Sequence, residues 1–347
     1  MIRTILEIAV VFATASLLYF FGYLTPAFIM VPLVIFLLAQ AESYQFNPEG
    51  RAVFITGCDS GFGYQLAKRL DKMGFLVFAA CQFPERKGAC DLVNECSSRL
   101  KVIKLDVTKD EDVAQAKKFI QTNLPEKGLW GIVNNAGISD WSETQWNNIE
   151  HYHKMADVNL FGSIRTTLPF ISLIRASQGR MVFVSSILAF FYAPNMGPYS
   201  ITKRAVEAFA DCLRVEMACF GVKVSIIQPG NFGSVTNILQ EKMAEDIWNR
   251  FDEEQKQTFN RQYIELVTEY ATKLRREGIQ DINMVIDAMV DALTSRRPKT
   301  RYLVVNMFEK VLFYAFPYWP TFLADAVFSL GDMYQKRKLL LFSPEGN

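Results

Sequence analysis

Tyr199 and Lys203 stand four residues apart in a stretch where Val206, Phe209 and Leu213 recur at helical spacing, so the two side chains share one helix face. Such a pair can move a proton. A tyrosine hydroxyl titrates near 10, and acting as a base near pH 7 asks for a depression of about 3 units, roughly 4 kcal/mol, toward which an adjacent ammonium contributes. Thirteen residues before Tyr199 comes Ser186, in a Ser185-Ser186 pair that closes an apolar run. Asn159 and the string Asn134-Asn135-Ala136-Gly137 lie further upstream. Earlier still, Thr56-Gly57-Cys58-Asp59-Ser60-Gly61-Phe62-Gly63 forms a glycine-rich turn. There, absent Cβ atoms let a pyrophosphate approach the backbone, and a following helix N-terminus stabilises its charge. Each feature alone has an ordinary explanation: a helix cap, a solvated lysine, a strand end. Their occurrence together, in this order, argues for chemistry.

A scaffold must bring these distant positions together. Ala52–Thr56 reads as a short buried strand, followed by the glycine turn and a helical pattern, Leu66, Ala67, Leu70 and Met73, that stops at Gly74. Further apolar runs at 75–80, 102–105, 131–133, 181–184, 222–227 and 302–305 alternate with helical stretches. That alternation predicts an α/β fold of the Rossmann type, a doubly wound parallel sheet covered by helices on both faces. Residues 236–295 read as charged helices forming an excursion near the substrate mouth.

Composition narrows the function. The 347 residues are 50% hydrophobic, and 37 Lys and Arg against 36 Asp and Glu leave a net charge of +1, which offers no field for nucleic acid. The six cysteines show no CxxC spacing and read as reduced thiols. His151 and His153 are the only histidines and lack the further ligands of a metal site, so no metal is expected. Residues 5–41 carry a single charge, Glu7. As helix they would reach about 55 Å, against a bilayer core of roughly 30 Å. A retained membrane anchor is expected over residues 1–45, as one span plus an interfacial piece or as a hairpin broken near Pro26 and Pro32. The catalytic domain is expected over 46–305, and an aromatic and basic segment over 306–347. That last segment is interrupted by Pro317 and Pro320 and makes a poor transmembrane helix. Packing over the substrate mouth or lying on membrane lipid are its functional readings; an ordinary contact to the core is the plain one.

The motifs TGxxxGxG, NNAG, Ser and Tyr-x-x-x-Lys, in this order and spacing over about residues 50–235, resemble the short-chain dehydrogenase/reductase family. The resemblance implies one doubly wound domain binding a nicotinamide dinucleotide. It implies Tyr199 as acid/base, Ser186 as the holder of the substrate oxygen, with Ser185 as its alternative, Lys203 as the ribose-binding residue and Asn159 as the holder of a relay water. It also implies cofactor contacts at Gly57, Asp59, Ser60, Gly61, Phe62, Gly63, Asp106, Asn134, Ala136, Gly137, Tyr199, Lys203, Pro229, Gly230 and Phe232. Within the family, TGCDSGFG, GLWGIVNNAGIS and GVKVSIIQPGNF are similar to the branch of retinol, type 2 hydroxysteroid and type 1 3-hydroxybutyrate dehydrogenases. Ser234 and Phe190-Phe191 depart from the pattern of many members, and bear on the substrate.

NAD is the expected cofactor, because Ser60, Cys81 and Gln82 place no cation where a 2′-phosphate would lie while Asp59 adds a negative charge. The leading expectation is a membrane-anchored dehydrogenase of a lipophilic alcohol or ketone, steroid or retinoid, with room for a homodimer. Its expected site is the endoplasmic reticulum membrane, with a mitochondrial membrane as the alternative. The rival enzyme reading is 3-hydroxybutyrate dehydrogenase. The rival of another class is a membrane scaffold that binds dinucleotide without turning over.

Overall fold

The computed structural model describes residues 47–239 and 242–331, with isolated positions 12, 13, 16 and 336. The expected anchor over 1–45 lies outside them, apart from positions 12, 13 and 16. Among the described residues, no helix is long and apolar enough to cross a membrane.

Seven parallel strands form one sheet in the order β3-β2-β1-β4-β5-β6-β7. They are β1 Ala52–Thr56, β2 Leu76–Cys81, β3 Leu100–Lys104, β4 Leu129–Asn134, β5 Arg180–Val184, β6 Lys223–Pro229 and β7 Arg301–Val304. Strands β1, β4 and β5 are buried along their whole length, as a sheet covered on both faces requires. The expected second strand shifts by one residue for a local reason. Helix α1, Gly61–Met73, ends with Gly74 in the left-handed conformation, and the Phe75 N–H turns back to Leu70 O at 3.1 Å. Phe75 thus closes the helix, and pairing begins with Leu76 opposite Ala52.

The chain winds outward from β1 through α1, α2 (Lys87–Glu95) and α3 (Asp110–Thr122), then returns to place β4 on the other side of β1. Brackets of this kind open a crevice at the carboxyl ends of β1 and β4. Beyond β4 runs a nearly continuous rod: α4 Ile149–Ala156, a π-helical turn Asp157–Phe161, α5 Gly162–Thr167 and α6 Ile171–Ala176. Next, α7, Gly197–Met217, packs on the rod and on β6. Helices α8 (Ala244–Trp248), α9 (Glu253–Thr258) and α10 (Arg261–Arg276) form the excursion, and α11 is Asn283–Thr294. The excursion has a small core of its own, Phe251, Phe259, Tyr263, Ile264 and Val267 packed with Trp146 and Trp248. Two short helices, α12 Met307–Ala315 and α13 Thr321–Ser329, follow β7. From Pro48 to Leu293 and again from Lys299 the described chain is one compact unit.

Candidate active site

A cleft of about 1210 Å³ opens at the carboxyl ends of the strands. Its floor is laced together by side chain to main chain bonds. Thr56 Oγ1, at the end of β1, accepts the N–H groups of Asn135 and Ala136 at 3.0 Å each. Asn135 Nδ2 returns bonds to Thr56 O at 2.9 Å and Gly57 O at 3.0 Å. This fixes the glycine turn against the loop after β4. Gly57 has φ +70°, and a Cβ there would come within 2.8 Å of Ala136 Cα. On Gly63 a Cβ would meet Gly57 O at 2.3 Å. Both glycines are therefore demanded by the protein's own close packing, whereas Gly61, at φ +61°, faces the cleft beside Ser60 and Phe62. The first turn of α1 carries no acidic side chain, so its N–H groups are open to an anion.

At the far edge of this floor, the Asp59 carboxylate accepts the N–H groups of Gln82 and Phe83, both at 3.0 Å, just past β2. Asp106 accepts from Gln82 Nε2 at 3.2 Å and from Thr108 Oγ1 at 2.7 Å. Arg86 stacks its guanidinium on Phe83, 3.8 Å from the ring centroid, and also lines the cleft.

The reactive side chains meet where β5 ends and α7 begins. Strand β5 stops at Val184, and the two serines that follow point to opposite tasks. Ser185 Oγ donates to Glu207 Oε1 at 2.8 Å, inside the protein. Ser186 lines the cleft with Tyr199, where it favours the phenolate, and caps the turn after it, accepting from Leu188 N at 3.2 Å. Lys203 Nζ donates to Val184 O at 2.8 Å and lies 5.5 Å from the centre of the Tyr199 ring.

The electrostatics differ from the sequence expectation. Burial pushes the Tyr199 phenol well above its ordinary range, against the opposing pull of the Ser186 hydroxyl. Burial also draws Lys203 down to about 8, with Glu207 opposing the fall. In the protein alone the phenol is thus held protonated, and lowering it falls to positive charge brought close in a medium where water screens little.

Asn159 sits inside the π-helical turn and is bonded through both side-chain polar atoms: Oδ1 accepts Ile138 N at 2.8 Å, and Nδ2 donates to Ile138 O at 2.9 Å and Thr202 Oγ1 at 3.0 Å. Its side chain pins the loop after β4 to α7 and does not line the cleft. Asn134 is likewise turned away, bonded to Thr166 and Thr167 at 2.7 and 2.9 Å. The alternation of side chains along β4 sends Asn134 to the helix layer and leaves Asn135 at the crevice. Gly63 lies behind the turn. The other expected contacts, Gly57 to Phe62 without Cys58, Asp106, Ala136, Gly137, Ser186, Tyr199, Lys203, Pro229, Gly230 and Phe232, all line the cleft. Sequence reasoning missed Asn135, whose signal was its place one step past the strand, and Glu207, one turn past Lys203.

At its mouth the cleft is apolar, with Leu188, Phe191, Met196, Ile238, Leu239, Phe313 and Phe328 among its walls. Phe191 packs on Phe313, Phe316 and Phe328 with centroids 5.1, 4.7 and 5.5 Å away. The bulky residues after the serine are thus matched by the C-terminal helices. The other faces of those helices, with the turn between them, carry Phe308 at 91% exposure and Met307, Val311, Tyr318 and Phe322 exposed as well.

The sequence profile of the short chain dehydrogenase family matches residues 51–246. Mitochondrial D-beta-hydroxybutyrate dehydrogenase of Rattus norvegicus is 39% identical over 287 residues, 80% of this chain and 84% of its own. The 17-beta-hydroxysteroid dehydrogenase type 6 of Homo sapiens is 42% identical over 290 residues, 80% of this chain and 88% of its own. In backbone, a short-chain dehydrogenase of Streptomyces avermitilis superposes with a TM-score of 0.62 at 22% identity, over 83% of this chain and 97% of that one.

Proposed function

This chain belongs to the short-chain dehydrogenase family, and from that premise we propose that it is a membrane-associated dehydrogenase interconverting a hydroxyl and a carbonyl on a steroid or retinoid. It is an oxidoreductase that uses a nicotinamide dinucleotide. The observation that carries the lipophilic reading is the mouth of the cleft, walled by Phe191, Phe313 and Phe328 and continuous with helices whose outer faces are apolar and exposed.

The residues fit the cofactor: a backbone cradle at Gly57 to Gly61, an open helix N-terminus, and Lys203 at the foot of the same cleft. Bound there, the oxidised nicotinamide would accept hydride from the alcohol carbon. Ser186 holds the substrate oxygen by hydrogen bond, and Tyr199 takes the hydroxyl proton on its phenol oxygen. Lys203 binds ribose hydroxyls and, as an ammonium close to the ring, favours the phenolate that accepts this proton. Asn159 acts through its grip on Ile138 and α7. NAD is preferred to NADP, because Asp59 already occupies the amides of Gln82 and Phe83 and repels a phosphate there; Arg86 is the cation that could oppose it.

A panel of hydroxysteroids, retinol and 3-hydroxybutyrate with NAD tests the assignment, with turnover expected on the lipophilic alcohols. One observation favours 3-hydroxybutyrate instead: Lys154 lines the cleft and could pair with a carboxylate. Turnover of 3-hydroxybutyrate alone, lost in Lys154→Met, would establish that reading. Dinucleotide binding without turnover of any alcohol would establish a scaffold. The proposed anchor is tested separately: carbonate extraction should leave the full chain in the membrane pellet and release a chain lacking residues 1–41.

A further inference from the structure

Glu207 lies one helical turn beyond Lys203 on α7, buried where a carboxylate is costly unless it is bonded. The sheet holds it from three strands. Ser185, at the end of β5, and Gln228, on β6, both donate to its Oε1 at 2.8 Å. From β7, Arg301 brings Nε to 3.7 Å from Oε2 and also pairs with Asp211. An amide oxygen would accept the two short bonds equally well, so geometry alone does not call for a charge. The neighbouring lysine does. Its ammonium is buried against the Val184 carbonyl, and burial favours loss of its proton unless a negative group stands close.

We propose that Glu207 is a positioning residue, the counter-charge fixed from three strands that keeps Lys203 an ammonium at the foot of the cleft. The groups facing the pair are few. Tyr199 faces Lys203 from its own helix, and β5 offers the neutral Val184 carbonyl. The rod contributes Asn159, also neutral, bonded to Thr202 beside the lysine. Arg301 faces Glu207 from β7, but it is part exposed and shared with Asp211, so water screens it more than it screens the buried lysine. The same Ser185 to Glu207 bond turns Ser185 inward and leaves Ser186 alone toward Tyr199.

The proposal rests on the reading of Lys203 given above, and its test separates the two. In the full-length protein, Lys203 is titrated through the NMR signal of its ε carbon, assigned with Lys203→Arg. Glu207→Gln is expected to lower the midpoint by at least one unit, a tenfold loss of ammonium at high pH, while Glu207→Asp keeps it near the wild-type value. An unmoved midpoint in Glu207→Gln, or an equal fall in Glu207→Asp, overturns the proposal whatever happens to melting temperature. If the midpoint falls as expected but neither protein binds NADH, the counter-charge stands and the cofactor role of Lys203 falls.

Discussion

At the proposed nucleotide end of the cleft the walls are main chain and short polar side chains locked to it: Thr56 on Asn135 and Ala136, Asp59 on Gln82 and Phe83. The mouth is instead built from rings, with Phe191 seated among Phe313, Phe316 and Phe328. The two constructions tolerate change differently. Hydrogen bonds and glycine contacts fail when an atom moves by a few tenths of an ångström, whereas apolar contacts can re-form after repacking. The first region can hold one cofactor in one pose; the second can be reshaped for a new substrate while the chemistry stays in place.

Substitutions can break that contrast or sharpen it. The largest effect belongs to the junction of the two regions: Tyr199→Phe is expected to cut turnover by about 10³-fold while leaving NADH affinity within about twofold. Steady-state rates and fluorescence titration check this, and retention of a tenth of the activity would remove Tyr199 from its role. Gly63→Val should cost about 1–3 kcal/mol, since the new side chain meets Gly57 O, and cofactor affinity should fall with stability. Calorimetry with and without NADH would show both losses. A variant that melts and binds as wild type does would mean the turn is as forgiving as the mouth.

Lys203 gives the pH dependence. Its ammonium is intact below about 8 and is lost as pH rises through that value, so NADH affinity should hold from pH 6 to 7.5 and weaken above it. By pH 9 the ammonium fraction is down roughly tenfold. A flat affinity over pH 7 to 9 would exclude the lysine from the cofactor contact. Asp59→Asn should raise the relative efficiency of NADP by about fivefold, about 1 kcal/mol of repulsion removed, measured as the ratio of kcat/KM for the two cofactors. Phe191→Ala should raise KM for a lipophilic alcohol by about threefold with NADH affinity unchanged, because only the mouth loses a ring contact. An equal loss at both ends would show that the regions are coupled.

Much of this was legible in the chain. Runs of apolar residues gave all seven strands to within two residues, because the strands of a sheet covered on both faces are mostly apolar and alternate with helical patterns. Tyr199 and Lys203 had to share a face, since helical geometry leaves no choice at a spacing of four. Ser186, Tyr199 and Lys203 could therefore be grouped before any coordinates. What the sequence could not say was which way each polar side chain turns at the end of a strand. Asn134 against Asn135, and Ser185 against Ser186, are identical in type and adjacent in order, and only the position of the last paired residue sends one into the helix layer and the other to the crevice. Burial was hidden for the same reason. Whether water reaches Tyr199 or Lys203 depends on segments far apart in the chain packing together, so the direction of their proton affinities, and the burial of Glu207 one turn past Lys203, belong to the tertiary structure alone.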